Sequence, residues 1–233
     1  MKKTLVTLLT LLILCSCGKT EKDLIVTGHI KGLKKGTIYL KKIEDTLLVT
    51  VDSLIINGDP NFTLHGNIES PEVFFLDLDK NSTEQDRIKF FADKGTTIIN
   101  TSLKNFVFDA EIEGSAQQDI YEEYLLMISK VNNKRLELIK EQFEAQRDGD
   151  SVALDSLVKV SKNLVKRQYL YTVNFALNHN DSEVAPYLAL SEIYNAQVKF
   201  LDTINKKLTP KVKTSKYGKE LEAFIKTIKE TEK

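Results

Sequence analysis

The chain of 233 residues has no tryptophan, only two cysteines and ten glycines, and no excess of either charge, with 33 Lys plus Arg against 33 Asp plus Glu. Each shortage removes a class of protein. Two cysteines cannot staple a disulfide-rich miniprotein, ten glycines cannot supply a collagen-like repeat, and 42% hydrophobic against 28% charged residues lies outside the disordered range. A net charge of zero lacks the concentrated positive field that a phosphate backbone requires, so nucleic acid is not an expected partner. The uncharged N-terminal run from Leu5 to Leu14, LVTLLTLLIL, is about half the roughly 20 residues needed to cross a bilayer.

What that run does have is a positive start, Lys2 and Lys3, and a tail of small residues, which together make a secretory signal that takes no part in the fold. Its end, LCSCG, resembles a bacterial lipobox: Leu14 stands three residues before Cys17, and Ser16 just before it. This implies cleavage after residue 16, lipidation of Cys17 and a linker over 17–23. Cys15 does not fit, because the bulky Leu14 would then occupy the cleavage position. A diacylated cysteine anchors a protein stably, since each buried CH₂ contributes about 0.8 kcal/mol. Gly18 in place of an aspartate points to the outer membrane, facing the periplasm. With Cys15 removed and Cys17 alkylated, the mature chain has no free thiol, which excludes disulfides, cysteine nucleophiles, CxxC redox chemistry and thiolate metal sites together.

From Leu24 to Gly114 the hydrophobic pattern has period two. Phe62, Leu64, Gly66 and Ile68 alternate with polar residues, as do Phe106, Phe108, Ala110 and Ile112, with similar runs near 24–31, 36–43, 46–56, 72–79, 86–92 and 95–101. Eight short strands without interleaved helices predict an antiparallel β-sandwich or open barrel over 24–114. After Gly114 the period becomes 3.6. Ser115 and Gln118 form a capping-box pattern, Ile120, Tyr124, Met127, Val131 and Leu138 mark one long helix, and Leu154, Leu157, Leu164 and Tyr169 a second. The reading is α+β: a β-sandwich, then a helical region over 115–233 with an antiparallel hairpin at 116–178 and shorter helices over 183–231. Residues 18–114 carry 12 basic and 16 acidic side chains and residues 115–233 carry 19 and 17, so neither half is polarised enough to name a partner.

Candidate sites are sparse. Asp77, Asp79, Asn81 and Glu84 offer alternating oxygen ligands suited to a hard cation, but Ser82 stands where an EF-hand needs glycine and Ile88 where it needs glutamate. Asp77 and Asp79 read instead as the solvent face of a strand opposite Phe74, Leu76 and Leu78, and no metal or cofactor is expected. His29, His65 and His179 are isolated, and Gly28, Gly32 and Gly36 read as brackets around strands and a turn. No phosphate loop, HExxH or GxSxG elbow is present, so nucleotide, zincin and α/β-hydrolase chemistry have no foothold. Tyr121, Tyr124, Phe143, Tyr169, Tyr171, Phe175, Tyr187, Tyr194 and Phe200 make the helical half rich in residues that pack hairpins and also serve interfaces. Lys206, Lys207, Lys211, Lys213, Lys216 and Lys219 form a basic run read as a solvated face, with anionic lipid as the rival reading.

Several segments resemble a known family in order and spacing: VTGHIKGL (Val26–Leu33), GTIYL (Gly36–Leu40), DSLIING (Asp52–Gly58), FTLHGNI (Phe62–Ile68), SPEVFFLDL (Ser70–Leu78), FFADKG (Phe90–Gly95), IEGS (Ile112–Ser115) and SKYGKEL (Ser215–Leu221). They resemble the β-rich N-terminal domain of unknown function (DUF4369-type) and the helical region of thioredoxin-like lipoproteins from Bacteroidota. In those relatives a thioredoxin domain follows; here the sequence stops at Lys233. The resemblance implies a non-enzymatic envelope lipoprotein acting as a binding or assembly module, or alternatively a docking partner of a separate periplasmic thioredoxin-like oxidoreductase. Separately, Asp45-Thr46-Leu47, Asp52-Ser53-Leu54, Asp150-Ser151-Val152, Asp155-Ser156-Leu157 and Asp202-Thr203-Ile204 resemble the O-glycosylation signal of Bacteroidota envelope proteins, with Thr46, Ser53 and Ser151 as candidate acceptors; turn and cap chemistry is the competing reading.

Overall fold

A computed structural model describes residues 23–79 and 86–231. The signal peptide, Cys17, most of the linker, Asn81 and Glu84 lie outside the described residues. The elements are β1 (Leu24–Lys31), β2 (Lys35–Glu44), β3 (Leu47–Asn57), β4 (Asn61–Gly66), β5 (Glu72–Leu78), β6 (Ile88–Ala92), β7 (Gly95–Ser102) and β8 (Glu111–Glu113). The helices are α1 (Ala116–Asp148), α2 (Ser151–Asn178), α3 (Val184–Ser191), α4 (Val198–Lys207), α5 (Pro210–Thr214) and α6 (Lys216–Thr231).

The strands form two four-stranded sheets, β4-β1-β7-β8 and β3-β2-β5-β6. Their inner faces bury Leu24, Val26, Ile38, Leu40, Leu64, Phe74 and Phe90, so the architecture is a sandwich and the sheets do not close into a barrel. The second sheet is antiparallel throughout; in the first, β1 and β7 run parallel, Leu24 opposite Gly95 through Lys31 opposite Ser102. Alternation reports which face a side chain takes and carries no information on strand direction. Gly28 lies inside β1 and not at its edge: a Cβ there would fall 1.8 Å from the Ile99 carbonyl oxygen of β7. Only glycine allows that approach.

The strand expected over 106–112 is shortened to β8. Thr101 Oγ1 donates to the Phe106 carbonyl at 2.7 Å and Ser102 Oγ to Asp109 at 2.6 Å, closing a turn in place of a ladder. Phe106 tucks into the core while Phe108 is 93% exposed.

Gly114, with φ 97°, turns the chain into α1. Ser115 caps the helix by accepting from the Gln118 N–H. The reciprocal half of the capping box is missing, because the Gln118 carboxamide oxygen accepts from the Phe91 N–H at 2.8 Å and its amide donates to Glu122. This bond satisfies an edge donor of β6 and blocks further strand pairing there. Gly149, left-handed at φ 73°, ends α1, and Asp150 caps α2 by accepting from Ala153 N–H. Against the outer face of β5 and β6 pack Tyr121, Tyr124, Phe175, Leu188 and Tyr217, burying Val73 and Phe91. A third core joins the end of α2 to α3–α6 through Ala176, Ala189, Leu201, Ile204 and Leu221. Among the described residues no helix is long and apolar enough to cross a membrane.

Candidate functional site

Strand β5 is buried on both faces: Phe74, Leu76 and Leu78 enter the sandwich, while Val73 and Asp77 are covered from outside. That double burial builds the site, because charged residues at and near β5 must then be paired within the protein. Glu72 lies under a cleft of about 870 Å³ between the β2–β3 tip, the β4–β5 connection and the start of α6. Its two oxygens receive Lys42 Nζ at 3.3 Å and Lys216 Nζ at 2.5 Å. Lys216 Nζ also donates to the Ile43 carbonyl at 2.8 Å, and the Lys216 N–H to Ser70 Oγ at 3.1 Å. Burial alone would lower the Lys42 ammonium, but the charge of Glu72 and bonds to Glu44 and Glu72 outweigh it and hold the group above its ordinary value. At the far side Lys94 Nζ meets Asp23 at 2.7 Å. The Lys94 bond, then the Ile68 N–H, hold the Asp23 carboxyl below its ordinary value.

The cleft continues into an apolar recess of about 190 Å³ lined by Ile43, Val73, Phe75, Tyr187 and Tyr217. Its floor is an aromatic cluster. Phe91 meets Tyr187 at 5.1 Å with the rings at 89°, and Tyr187 meets Tyr217 at 5.1 Å. Lys89 Nζ sits 5.4 Å from the Tyr121 ring centre. Asp45, exposed at the β2–β3 tip with φ 55°, belongs to both cleft and recess. The surface thus joins charged and apolar lining within one concavity, an arrangement suited to an amphipathic group.

The sequence-derived candidates are dispersed. Asp77 is buried, not on a solvent face: Lys41 approaches it at 2.6 Å and Arg87 at 3.3 Å. Asp79 is exposed and accepts from the Thr37 N–H at 2.8 Å. Among the described residues no group of three or more His, Cys, Asp or Glu is placed to hold a metal ion. His29 bonds Asn61, His65 lies 3.9 Å from Asp52, and His179 stacks on Phe175. Of the basic run, Lys216 enters the cleft, Lys206 pairs with Asp202 and Lys213 caps the Lys206 carbonyl. Thr46 is exposed at the β2–β3 tip, Ser53 is exposed on edge strand β3, and Ser151 opens α2.

Sequence reasoning passed over Glu72, Lys42, Phe91 and Tyr217 as site residues. The signal was in EVFFLDL, which loses alternation where the strand is covered on both sides. Residues 24–121 match the family model described as a domain of unknown function (DUF4369). The match runs past Gly114 to Tyr121, so it includes the cap at Ser115 and the Gln118 bond to β6. No curated protein and no solved structure matches the chain.

Proposed function

We propose that this protein is a non-enzymatic lipoprotein of the cell envelope that serves as a binding or assembly module, with the cleft over Glu72 as its recognition surface. One observation carries the reading: the charged groups deepest in the concavity are ion-paired to one another, and their neighbours are aromatic. Glu72, held by two ammonium groups, is locked into an internal ion-pair network rather than offered to solvent. It organises a rigid, mixed polar and apolar wall, which is what selective recognition needs.

The lipobox-like end at Cys17 supports a lipid anchor in the outer membrane facing the periplasm, and the likeness to thioredoxin-like lipoproteins supports a Bacteroidota origin. Asp23, on the cleft wall, follows Cys17 by six residues, a reach of at most about 22 Å when extended. The recognition surface therefore stands close to the anchor.

Photo-crosslinking in the native host, with a benzophenone amino acid at Ile43 or Tyr187, tests the reading. A discrete crosslinked product from these sites, lost when the probe is moved to Ile55 on β3, supports it. Recovery of a CxxC oxidoreductase would identify the module as a redox accessory, and absence of any product from both cleft positions would overturn it.

A further inference from the structure

Beyond Ile128 the two long helices leave the body as an arm, and the arm is under-packed. Over this length α1 buries only Leu138 and Ala145, and α2 buries no residue before Thr172. The seam between the helices runs through Val131, Leu138 and Ala145 on one side and Leu157 and Leu164 on the other. It is interrupted by two cross-helix bonds, Arg135 to Gln168 and Gln142 to Ser161, the latter at 2.8 Å. Polar rungs of this kind fix register at a cost in stability.

Those two bonds mark one side of the arm. Ile139 lies one turn from both Arg135 and Gln142, and Val165 one turn from both Ser161 and Gln168, so by helical periodicity they share that side. Leu136 and Phe143 follow Arg135 and Gln142 directly, and Val158 is one turn before Ser161. All five are exposed: Leu136 65%, Ile139 42%, Phe143 69%, Val158 38% and Val165 56%. On a two-helix hairpin, apolar positions next to the seam are those that a third helix covers in a bundle. At its base this face meets Leu125, which lines a shelf with Phe75, Lys89 and Tyr121 on the outer face of the second sheet.

The border of the face is mainly basic, with Asp155 of α2, one turn before Lys159, as its acidic exception. By the same periodicity Lys159, Lys162 and Lys166 of α2 and Lys140 of α1 flank it, whereas Glu137, Glu141 and Glu144 fall on the opposite side. Lys140 lies 4.0 Å from Glu144, but Lys159, Lys162 and Lys166 have no ion-pair partner among the described residues. A second copy docking here would set these lysines against their equivalents, and like charges across an interface repel.

We infer that the arm is a docking site for an acidic amphipathic helix of a partner protein, which lies along Leu136, Ile139, Phe143, Val158 and Val165 and completes a three-helix bundle. Its apolar stripe covers the face, and its carboxylates meet the free lysines of α2. This rests on the binding-module reading and names the class of partner at a second surface, distinct from the cleft.

The test uses the full mature chain, with serine at Cys17, and a labelled synthetic helix about three heptads long with leucine on one stripe and glutamate elsewhere. Fluorescence anisotropy should show it binding about tenfold more tightly than the same helix with lysine for glutamate, and more weakly at high salt. Phe143→Asp should weaken binding about tenfold at unchanged helical circular dichroism. Lys159→Glu/Lys162→Glu/Lys166→Glu should reverse the preference between the two helices. Equal binding of both helices overturns the inference. So does co-sedimentation with phosphatidylglycerol vesicles that Phe143→Asp abolishes, or self-association in sedimentation velocity that Phe143→Asp abolishes. Cleft crosslinking separates the two readings: cleft products with no helix binding overturn the arm's role alone, and loss of both overturns the module.

Discussion

The backbone N–H of Val73 in β5 donates to the phenolic oxygen of Tyr217 in α6 at 2.9 Å, across 144 positions of sequence. Val73 lies one residue before the stretch of β5 that pairs with β2, so the tyrosine serves as the acceptor that continued β2–β5 pairing would have supplied. The ring of Tyr217 also closes the recess beside Tyr187. One side chain therefore finishes a sheet and forms a wall of the proposed recognition surface.

Tyr217→Phe keeps the ring and removes only the acceptor. A buried N–H left unpaired costs about 1–3 kcal/mol. Urea unfolding should show the unfolding free energy falling by that amount, as a lower midpoint at unchanged slope; an unaltered midpoint would mean that water replaces the phenol.

The β-sandwich should not survive alone. A fragment of residues 24–114 lacks Gln118, Tyr121 and Tyr217, leaving the Phe91 and Val73 N–H groups without partners and their side chains bare. The expected product aggregates or fails to give a cooperative melt, by gel filtration and circular dichroism. A monomeric, cooperatively melting fragment would refute the dependence.

Glu72→Gln removes the negative charge between Lys42 and Lys216. Because both ammonium groups reach solvent, the cost is about 1–3 kcal/mol, below the 3–5 kcal/mol typical of a broken buried pair. Lys42→Met alone should cost less, since Lys216 remains on the carboxylate. Equal losses for the two single variants would show that Lys216 does not compensate.

Glu183 is 1% exposed and, among the described residues, its Oε2 has no hydrogen-bond partner. Burial, with Asp93 and Asp181 nearby and Lys211 opposing, raises its carboxyl above the ordinary value. A carboxyl raised in the folded state stabilises the fold fully below its unfolded pKa, near 4.5, and loses that contribution as pH rises through the folded value. Glu183→Gln should therefore gain stability relative to wild type at pH 7 and show a smaller gain near pH 4.5. The same gain at both values would assign the effect to packing. Asp23 and Asp202 act oppositely: held low by Lys94 and by Lys206 and Lys229, they lose stability only as pH falls below about 3.8.

Gly28→Ala places a methyl group against the Ile99 carbonyl, and no rotamer of alanine avoids it. The parallel β1–β7 pair should break, with loss of the folded state or destabilisation beyond about 3 kcal/mol. Gly58→Ala tests the alternative of a glycine's general cost, because it meets nothing within 4 Å and carries only the strain of its φ of 100°.

Where one face of a strand was wet, the sequence disclosed it: Phe62, Leu64 and Gly66 point inward in β4 as their alternation implies. Where helices cover the second face, as at Val73, Phe75 and Phe91, alternation vanished and the strand became an apolar run with no stated neighbour. Phe108 shows the opposite failure. It alternates correctly but stands in a turn, because Ser102, Asn105 and Asp109 hydrogen-bond locally. The hairpin boundaries were legible through Ser115, Gly149 and Asp150, which act within one turn. The cleft was not, since Glu72 and Lys216 meet only through the tertiary fold and no local spacing encodes that meeting.

The bond from Val73 to Tyr217 also sets a timetable. A ribosome adds about 5–20 residues per second, so Tyr217 emerges roughly 7–30 s after Val73. Gln118, Tyr121 and Tyr124 emerge early enough to reach Phe91, but until Tyr217 arrives the Val73 N–H has no acceptor. The nascent chain thus passes through a long window in which a holdase finds a target around Val73, and α6 closes it.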